Sequence, residues 1–567
     1  MRLRLLLAAA PLVILGGCAA IPAKGGATVA QAEAPPAASP YGLFLAGEAA
    51  MNAGRSSEAA QFFDLARLGS DDNATVEERA FTAAILAGDI DKAAALAPVG
   101  DDASEAAKRL GKLVVAVKAL AEDKGKVAQA DLAADAIQFP HRAAAALLAP
   151  WAAAEAGDVE GSLVRPQVRG DRVVDYFGQL GQALLYERAR RYDEAETDFK
   201  ALTAGPVRTT LASLAYGGFL ERRGRRADAV RVYDEALQRT PGETSVIAAR
   251  ARVKAGKAAP PAPGVKAGAA QAILGPASEM VAAKQSQFAL AYLRLALRLD
   301  PKRDEAWVMV GDVLSGAGDN AAARDAYEKV RPGSEEYGAA QAKLAWTYQN
   351  AGDKETALKL ARSGAATGGL DARMTLADLL RADEQYAEAA QVLSGLIAED
   401  KTPDWRLLYA RGVSYERLGR WPEAEADMKA ALKLAPDEPE LLNYLGYSWI
   451  DRGEHLKEAM AMVEKAVAAD PRSGAMVDSL GWAYYRLGDY KQAVEKLEQA
   501  VELEAGDPEI NNHLGDAYWK VGRKDEALFQ WKRVLTLQPD AKMKADAETK
   551  IASGAGPDGP PRKVAGE

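Results

Sequence analysis

Residues that could do chemistry are few in this chain, and their spacing does not suit catalysis. The 567 residues include one cysteine, Cys18, and three histidines, His141, His455 and His513. There is no GxSxG, P-loop, HExxH or CxxC pattern. A single thiol cannot form a disulfide within the chain, and no Cys/His metal cluster can be assembled. Carboxylates recur three or four residues from Lys and Arg, as on solvated helix faces. The expectation is a non-enzymatic protein with no cofactor and no metal. An enzyme assembled from groups distant in sequence would instead show a deep pocket of clustered polar side chains. What remains is binding. Large aromatics interleave with Asn and Asp at Trp346, Tyr409, Asn443, Tyr447, Asp478, Trp482, Tyr485, Asn512, Asp516 and Trp519. Rigid apolar faces beside hydrogen-bonding neighbours are what protein interfaces favour.

The elements that must position this set are repeats. Gly412, Gly446, Gly481 and Gly515 lie 34, 35 and 34 residues apart. Each is followed by a second glycine (Gly419, Gly453, Gly488, Gly522), an alanine (Ala424, Ala459, Ala493, Ala527) and a proline (Pro436, Pro471, Pro508, Pro539). The one extra residue falls in Glu454-His455-Leu456-Lys457, just after a turn. Each unit reads as two amphipathic helices. The first glycine lets them approach, and the second ends the first helix in the left-handed region. One such hairpin cannot bury its apolar face alone, so neighbours stack.

The pattern resembles the tetratricopeptide repeat (TPR): Leu480-Gly481, Tyr484 and Ala493 fit it, and Leu514-Gly515, Tyr518, Ala527, Trp531 and Pro539 fit it better. The resemblance implies an all-α, helical-hairpin superhelix whose first helices line a concave groove. Positions two, five, nine and twelve of each repeat would point into that groove. They select the stripe above, together with Gln349, Arg406 and Glu416. The consensus aromatics Trp307, Tyr348, Tyr415, Tyr484 and Tyr518 are expected in the core. The stripe lacks the regular Lys/Asn/Arg set of TPRs that clamp chaperone carboxyl termini, so that ligand is not expected.

Repeat signals begin at Tyr41 with Gly54, Ala59 and Phe63, and continue through Gly88 and Ala93. They fade over 104–170 and return at Tyr186, Ala195 and Phe199, then at Gly217, Gly224, Ala229 and Tyr233. The run Ala258-Ala259-Pro260-Pro261-Ala262-Pro263-Gly264 cannot be helical throughout. Residues 251–275 are read as a linker, either a hinge between two superhelical lobes (41–250 and 276–552) or a long insertion on one continuous solenoid. A helix near Ala541–Ile551 is expected to cap the last repeat, with a disordered tail over 553–567.

Residues 1–17 read as a secretory leader, with Arg2 and Arg4 ahead of the apolar run Leu5–Leu15. Leu15-Gly16-Gly17-Cys18 resembles a bacterial lipobox, which implies cleavage before Cys18 and lipidation of its thiol. Ala19, rather than Asp, after the cysteine implies the outer membrane. Residues 18–40 read as a flexible Ala/Pro/Gly tether. The net charge is −9, and an acidic balance argues against nucleic acid as the main partner.

A lipobox followed by TPRs resembles the outer-membrane TPR lipoprotein adaptors of Gram-negative bacteria. Leu442-Asn443-Tyr444-Leu445-Gly446-Tyr447 and Asp478-Ser479-Leu480-Gly481-Trp482-Ala483-Tyr484-Tyr485 resemble, more narrowly, the lipoprotein partner of the carboxyl-terminal processing protease in pseudomonads. That resemblance implies a periplasmic scaffold holding a protease to peptidoglycan hydrolase substrates. The rival is a scaffold or pilot lipoprotein for an envelope secretion or polysaccharide or peptidoglycan assembly complex. The oligomeric state stays open, a homo-oligomer included.

Overall fold

The computed structural model describes residues 39–69, 74–133, 136–205, 207, 209–240, 243–367, 369–399 and 404–553. The leader, Cys18, nearly all of the tether and the tail from 554 lie outside the described residues.

Among the described residues there are helices and no strands. In chain order they open with α1 Pro40–Asn52, α2 Ser56–Leu68, α3 Ala74–Ala87, α4 Ile90–Ala95, α5 Glu105–Ala121, α6 Gly125–Asp131, α7 Arg142–Ala156, α8 Val159–Ser162, α9 Arg172–Arg188 and α10 Tyr192–Ala204. The middle is α11 Thr210–Arg222, α12 Arg226–Arg239, α13 Thr244–Lys254, α14 Val265–Ala282, α15 Ser286–Leu299, α16 Asp304–Gly316, α17 Asn320–Glu328, α18 Tyr337–Asn350, α19 Lys354–Thr367 and α20 Leu370–Ala382. The chain closes with α21 Tyr386–Glu399, α22 Trp405–Arg417, α23 Trp421–Leu434, α24 Pro439–Arg452, α25 Leu456–Ala469, α26 Gly474–Leu487, α27 Tyr490–Leu503, α28 Pro508–Lys520, α29 Lys524–Thr536 and α30 Ala541–Ser553. The chain is an all-α solenoid of stacked hairpins.

One lock recurs inside the hairpins. A glycine on the first helix faces a large side chain sixteen residues later on the second: Gly47 on Phe63, Gly217 on Tyr233, Gly311 on Tyr327 and Gly515 on Trp531. A Cβ at Gly217 would lie 2.3 Å from the Tyr233 ring, and one at Gly515 2.5 Å from Trp531 Nε1. The four large partners are fully buried, each burial stabilising by roughly 1.5–3 kcal/mol. Gly446 meets Val463, one residue further along, because the insertion after Gly453 displaces the second helix. The second glycines end first helices as expected, Gly453 at φ 73° and Gly488 at φ 86°. At other turns the conformation survives without its glycine: Asp123, Arg190, Lys284 and Glu384 take positive φ in the same place. Over 104–170 the second helices also shrink, α6 to 7 residues and α8 to 4. This shortening removes the spacing that sequence matching depends on.

The linker differs from expectation. Residues 251–254 end α13 and 265–275 open α14, so the non-helical segment is 255–264. It turns the chain back on itself, and α14 packs against α7 and α9 while α15 packs against α3, α4 and α5. Gly268 makes this possible, since a Cβ there would lie 2.1 Å from the Trp151 ring. Beyond Phe288, helix α15 is buried on nearly every side, through Leu290, Tyr292, Leu293, Leu295 and Leu297 among others, with Arg294 and Arg298 half-buried between them. Polar ties complete the contact. His141 Nδ1 is 2.9 Å from Tyr292 Oη, and Arg298 reaches Asp91 at 2.9 Å. One continuous core therefore runs from Ala50 to Leu344, across the segment read as either a hinge or an insertion. The core thins instead over 345–410, where two small clusters lead to the C-terminal core of Leu408 to Trp531.

Candidate partner-binding face

The aromatic–Asn–Asp stripe lies on the first helices α18, α22, α24, α26 and α28. Trp346 stands apart on α18, 36% exposed. Tyr409 on α22 is half-buried and meets Tyr444 of α24 edge-on at 5.5 Å. The next members converge on one residue. His513 stacks under Trp482 at 4.1 Å, Trp482 stacks on Tyr485 at 4.5 Å, and the Tyr447 ring lies 6.3 Å from the imidazole. Asp478 places both carboxylate oxygens 3.0 Å from His513 Nδ1. Burial works against a charged imidazole, but the carboxylates of Asp478, Glu509 and Asp516 outweigh it and raise His513 to about 9. The same burial pushes the Asp478 carboxyl up as well, against the pull of His513.

The consensus aromatics and the stripe partly exchange the environments expected of them. Trp307, Tyr348, Tyr415 and Tyr484 are half-buried, and only Tyr518 is buried. Arginines cover several of these rings, with Arg324 4.9 Å from the Tyr348 centroid and Arg420 4.4 Å from that of Tyr415. Conversely Asp478, Trp482, Tyr485 and Asp516 are buried. Asn443, Tyr447, Asn512 and Trp519 are half-buried. Tyr447 donates to Glu509 at 2.5 Å.

At the C-terminal end the stripe is held by α30. Lys550, itself buried, donates to Asp516 at 2.9 Å and to Asn512 at 3.2 Å. Trp531 Nε1 donates to the other Asp516 oxygen at 3.0 Å. The cap thus closes the solenoid with a lysine as well as with Ala547 and Ile551.

Two polar atoms of the stripe are buried without a hydrogen-bond partner, the acceptor Asn443 Oδ1 and the donor Trp482 Nε1. Such groups are costly to leave unmade. They sit on the consecutive first helices α24 and α26.

The family described as "TPR repeat" matches residues 481–522, and that described as "Tetratricopeptide repeat" matches 180–244, 409–473 and, in a second form, 508–541. The matched segments are tetratricopeptide repeats. A TPR repeat-containing protein of Pseudomonas aeruginosa is 30% identical over 194 residues, covering 34% of this chain and 32% of that protein. The chain thus spans about a third of the length of the curated relative it matches. Among solved structures, the APC/C hetero-tetramer Cut9-Hcn1 is similar at 15% identity over 90% of this chain and 95% of that one, with a TM-score of 0.39. A tetratricopeptide repeat protein from Parabacteroides merdae is similar at 16% identity over 43% of this chain and 96% of that one, with a TM-score of 0.37.

TPR hairpins make this chain a protein-interaction scaffold. Among the described residues no group of three or more His, Cys, Asp or Glu could hold a metal, and no helix is long and apolar enough to cross a membrane. Sequence reading missed His513 as the centre of the cluster and Lys550 as its end. A signal for His513 was present: it follows Asp478 by 35 residues, one more than the 34 from Gly481 to Gly515, which puts it one position past the Asp478 register on the neighbouring first helix. Lys550 carries no such signal, because α30 stands outside the repeat.

Proposed function

We propose that this chain is a non-enzymatic adaptor, held at the periplasmic face of the outer membrane by a lipid on Cys18, that brings a processing protease to peptidoglycan hydrolase substrates. One contrast between the two halves carries the reading. The N-terminal repeats fill their own interior with α14 and α15. The C-terminal repeats keep a half-open face of Trp346, Tyr409, Asn443, Tyr447, Asn512 and Trp519, with Asp478, Trp482, Tyr485 and Asp516 beneath it. A segment laid across that face meets the half-exposed rings of Trp346, Tyr409, Tyr447 and Trp519. The resemblance of the 442–447 and 478–485 segments to the protease-partner lipoprotein supplies the kind of partner. Two weak sites on one scaffold make the second capture nearly intramolecular, with effective concentrations of order millimolar.

Affinity capture of the C-terminally tagged chain from crosslinked cells tests this. The reading expects a periplasmic processing protease together with peptidoglycan hydrolases. Recovery of a secretion or polymer-synthesis complex without a protease replaces the adaptor by the assembly-scaffold reading.

A further inference from the structure

The first hairpin is unlike the rest of the surface. In a chain with 27% charged residues, every exposed position of α1 and α2 is uncharged. Tyr41 is 71% exposed and Leu68 72%, and Leu45 and Leu65 are exposed beside them. The antiparallel pairing sets Tyr41 near Leu68, because Gly69 sits against Pro40. The four charges within these helices, Glu48, Glu58, Asp64 and Arg67, are half-buried and paired with Arg79, Arg55, Lys92 and one another. Exposed Arg55 lies in the turn, at the far end from Leu68. The other end of the solenoid is the reverse, since α30 exposes Lys542, Lys544, Asp546 and Glu548. A solenoid needs a polar outer face on each terminal unit to stand free in water, and the N-terminal unit has only Asn52, Ser57 and Gln61 as exposed polar side chains and no exposed charge within its helices.

We propose that this uncharged face of α1 and α2 docks on the lipid surface that holds the anchor. The inference rests on the reading of Cys18 as an acylated residue. Ser39, which caps α1 by accepting from the Gly42 N–H at 3.1 Å, is where the chain from Cys18 arrives, at the edge of the apolar face. A tether of about 20 residues with random-coil dimensions would span about 25 Å root-mean-square, so the face would stay close to the bilayer and weak affinity would suffice. Tyr41 has the amphipathic ring suited to the headgroup level, and Leu45, Leu65 and Leu68 supply the apolar contact. Docking fixes the solenoid with its N-terminal unit down, which turns the C-terminal repeats away from the membrane.

The acylated full-length protein, reconstituted in phosphatidylethanolamine–phosphatidylglycerol vesicles, tests this. Cys18 is the only native thiol, so with it lipidated Gln61→Cys on the exposed side of α2 takes an environment-sensitive fluorophore alone. The expected result is a blue shift and quenching by shallow spin-labelled lipids. Adding Tyr41→Glu and Leu68→Glu should abolish both while the protein still floats with the vesicles, and Phe529→Glu, an exposed apolar residue on α29, should change neither. Water-like emission from floating protein overturns the docking alone, as does quenching that survives the double Glu variant. A shift that follows protein density rather than lipid overturns it in favour of a second copy. Failure to float overturns the anchoring reading as well.

Discussion

His513 Nδ1 stands 3.0 Å from both carboxylate oxygens of Asp478, and the Trp482 ring stacked 4.1 Å from the imidazole seals the pair from water. The contact joins α26 to α28, so the pair is a tie between neighbouring repeats.

The tie sets an alkaline limit. A histidine raised from 6.5 to about 9 contributes stability that is fully present below pH 6.5 and is lost as pH rises through 9, of order 1–3 kcal/mol. His141 behaves oppositely. Burial, with the charge of Arg109, lowers it from 6.5 to about 4, so its contribution is present above pH 6.5 and is lost as pH falls toward 4. Hydrogen exchange should show the C-terminal repeats loosening between pH 7 and 9.5 and the His141–Tyr292 contact loosening between pH 6 and 4. His513→Gln should flatten the alkaline limb only, and His141→Phe the acid limb only.

The glycine–aromatic lock predicts a sharp contrast between two glycines. Gly515→Ala puts a methyl 2.5 Å from Trp531 Nε1 and should destabilise by about 1–3 kcal/mol. Gly395, inside α21, has nothing within 4 Å, and Gly395→Ala should be neutral or stabilising by up to about 1 kcal/mol. Urea unfolding of both variants measures this. Equal effects would mean that the lock contributes no more than helix propensity.

The cap makes a third prediction. Lys550→Ala leaves the buried Asp516 with only Trp531 Nε1 and should cost about 3 kcal/mol in the last repeats. The double variant Lys550→Met/Asp516→Asn removes the charge on both sides and should recover more than half of that loss. Urea unfolding followed by tryptophan fluorescence checks both, since Trp519 and Trp531 lie beside the pair.

Burial divides the stripe into two kinds of residue. Trp482→Ala removes a stacked, buried ring and should cost about 3 kcal/mol, with binding falling because the face collapses. Trp346→Ala removes an exposed ring and should leave the melting temperature unchanged, so any loss of binding there reports contact directly. Paired melting and affinity measurements separate the two.

The repeat frame was legible in the sequence because its glycines have steric jobs. Gly453 and Gly488 must take positive φ, and Gly217, Gly311 and Gly515 must face large rings. The fold-back of α14 and α15 was not legible. It depends on Gly268 meeting Trp151, more than a hundred residues away and outside any repeat register. The proline run that reads as a hinge or an insertion marks the turn that makes the return possible. The stripe was legible as a set of positions but not as depths. Whether Tyr484 or Tyr485 faces inward depends on how far each hairpin rotates against the next, and no single repeat records that rotation.

The most direct test of the adaptor reading is reconstituted proteolysis. Purified processing protease would cleave a purified peptidoglycan hydrolase with and without this protein, alongside the Trp346→Ala and Tyr409→Ala/Tyr447→Ala variants. The account predicts an acceleration of about tenfold or more at sub-micromolar substrate, as effective concentration requires, and its loss in the variants, at unchanged melting temperature for exposed Trp346→Ala and at a lowered one for the packed Tyr409 and Tyr447. A cleavage rate that is the same with and without the protein would contradict it.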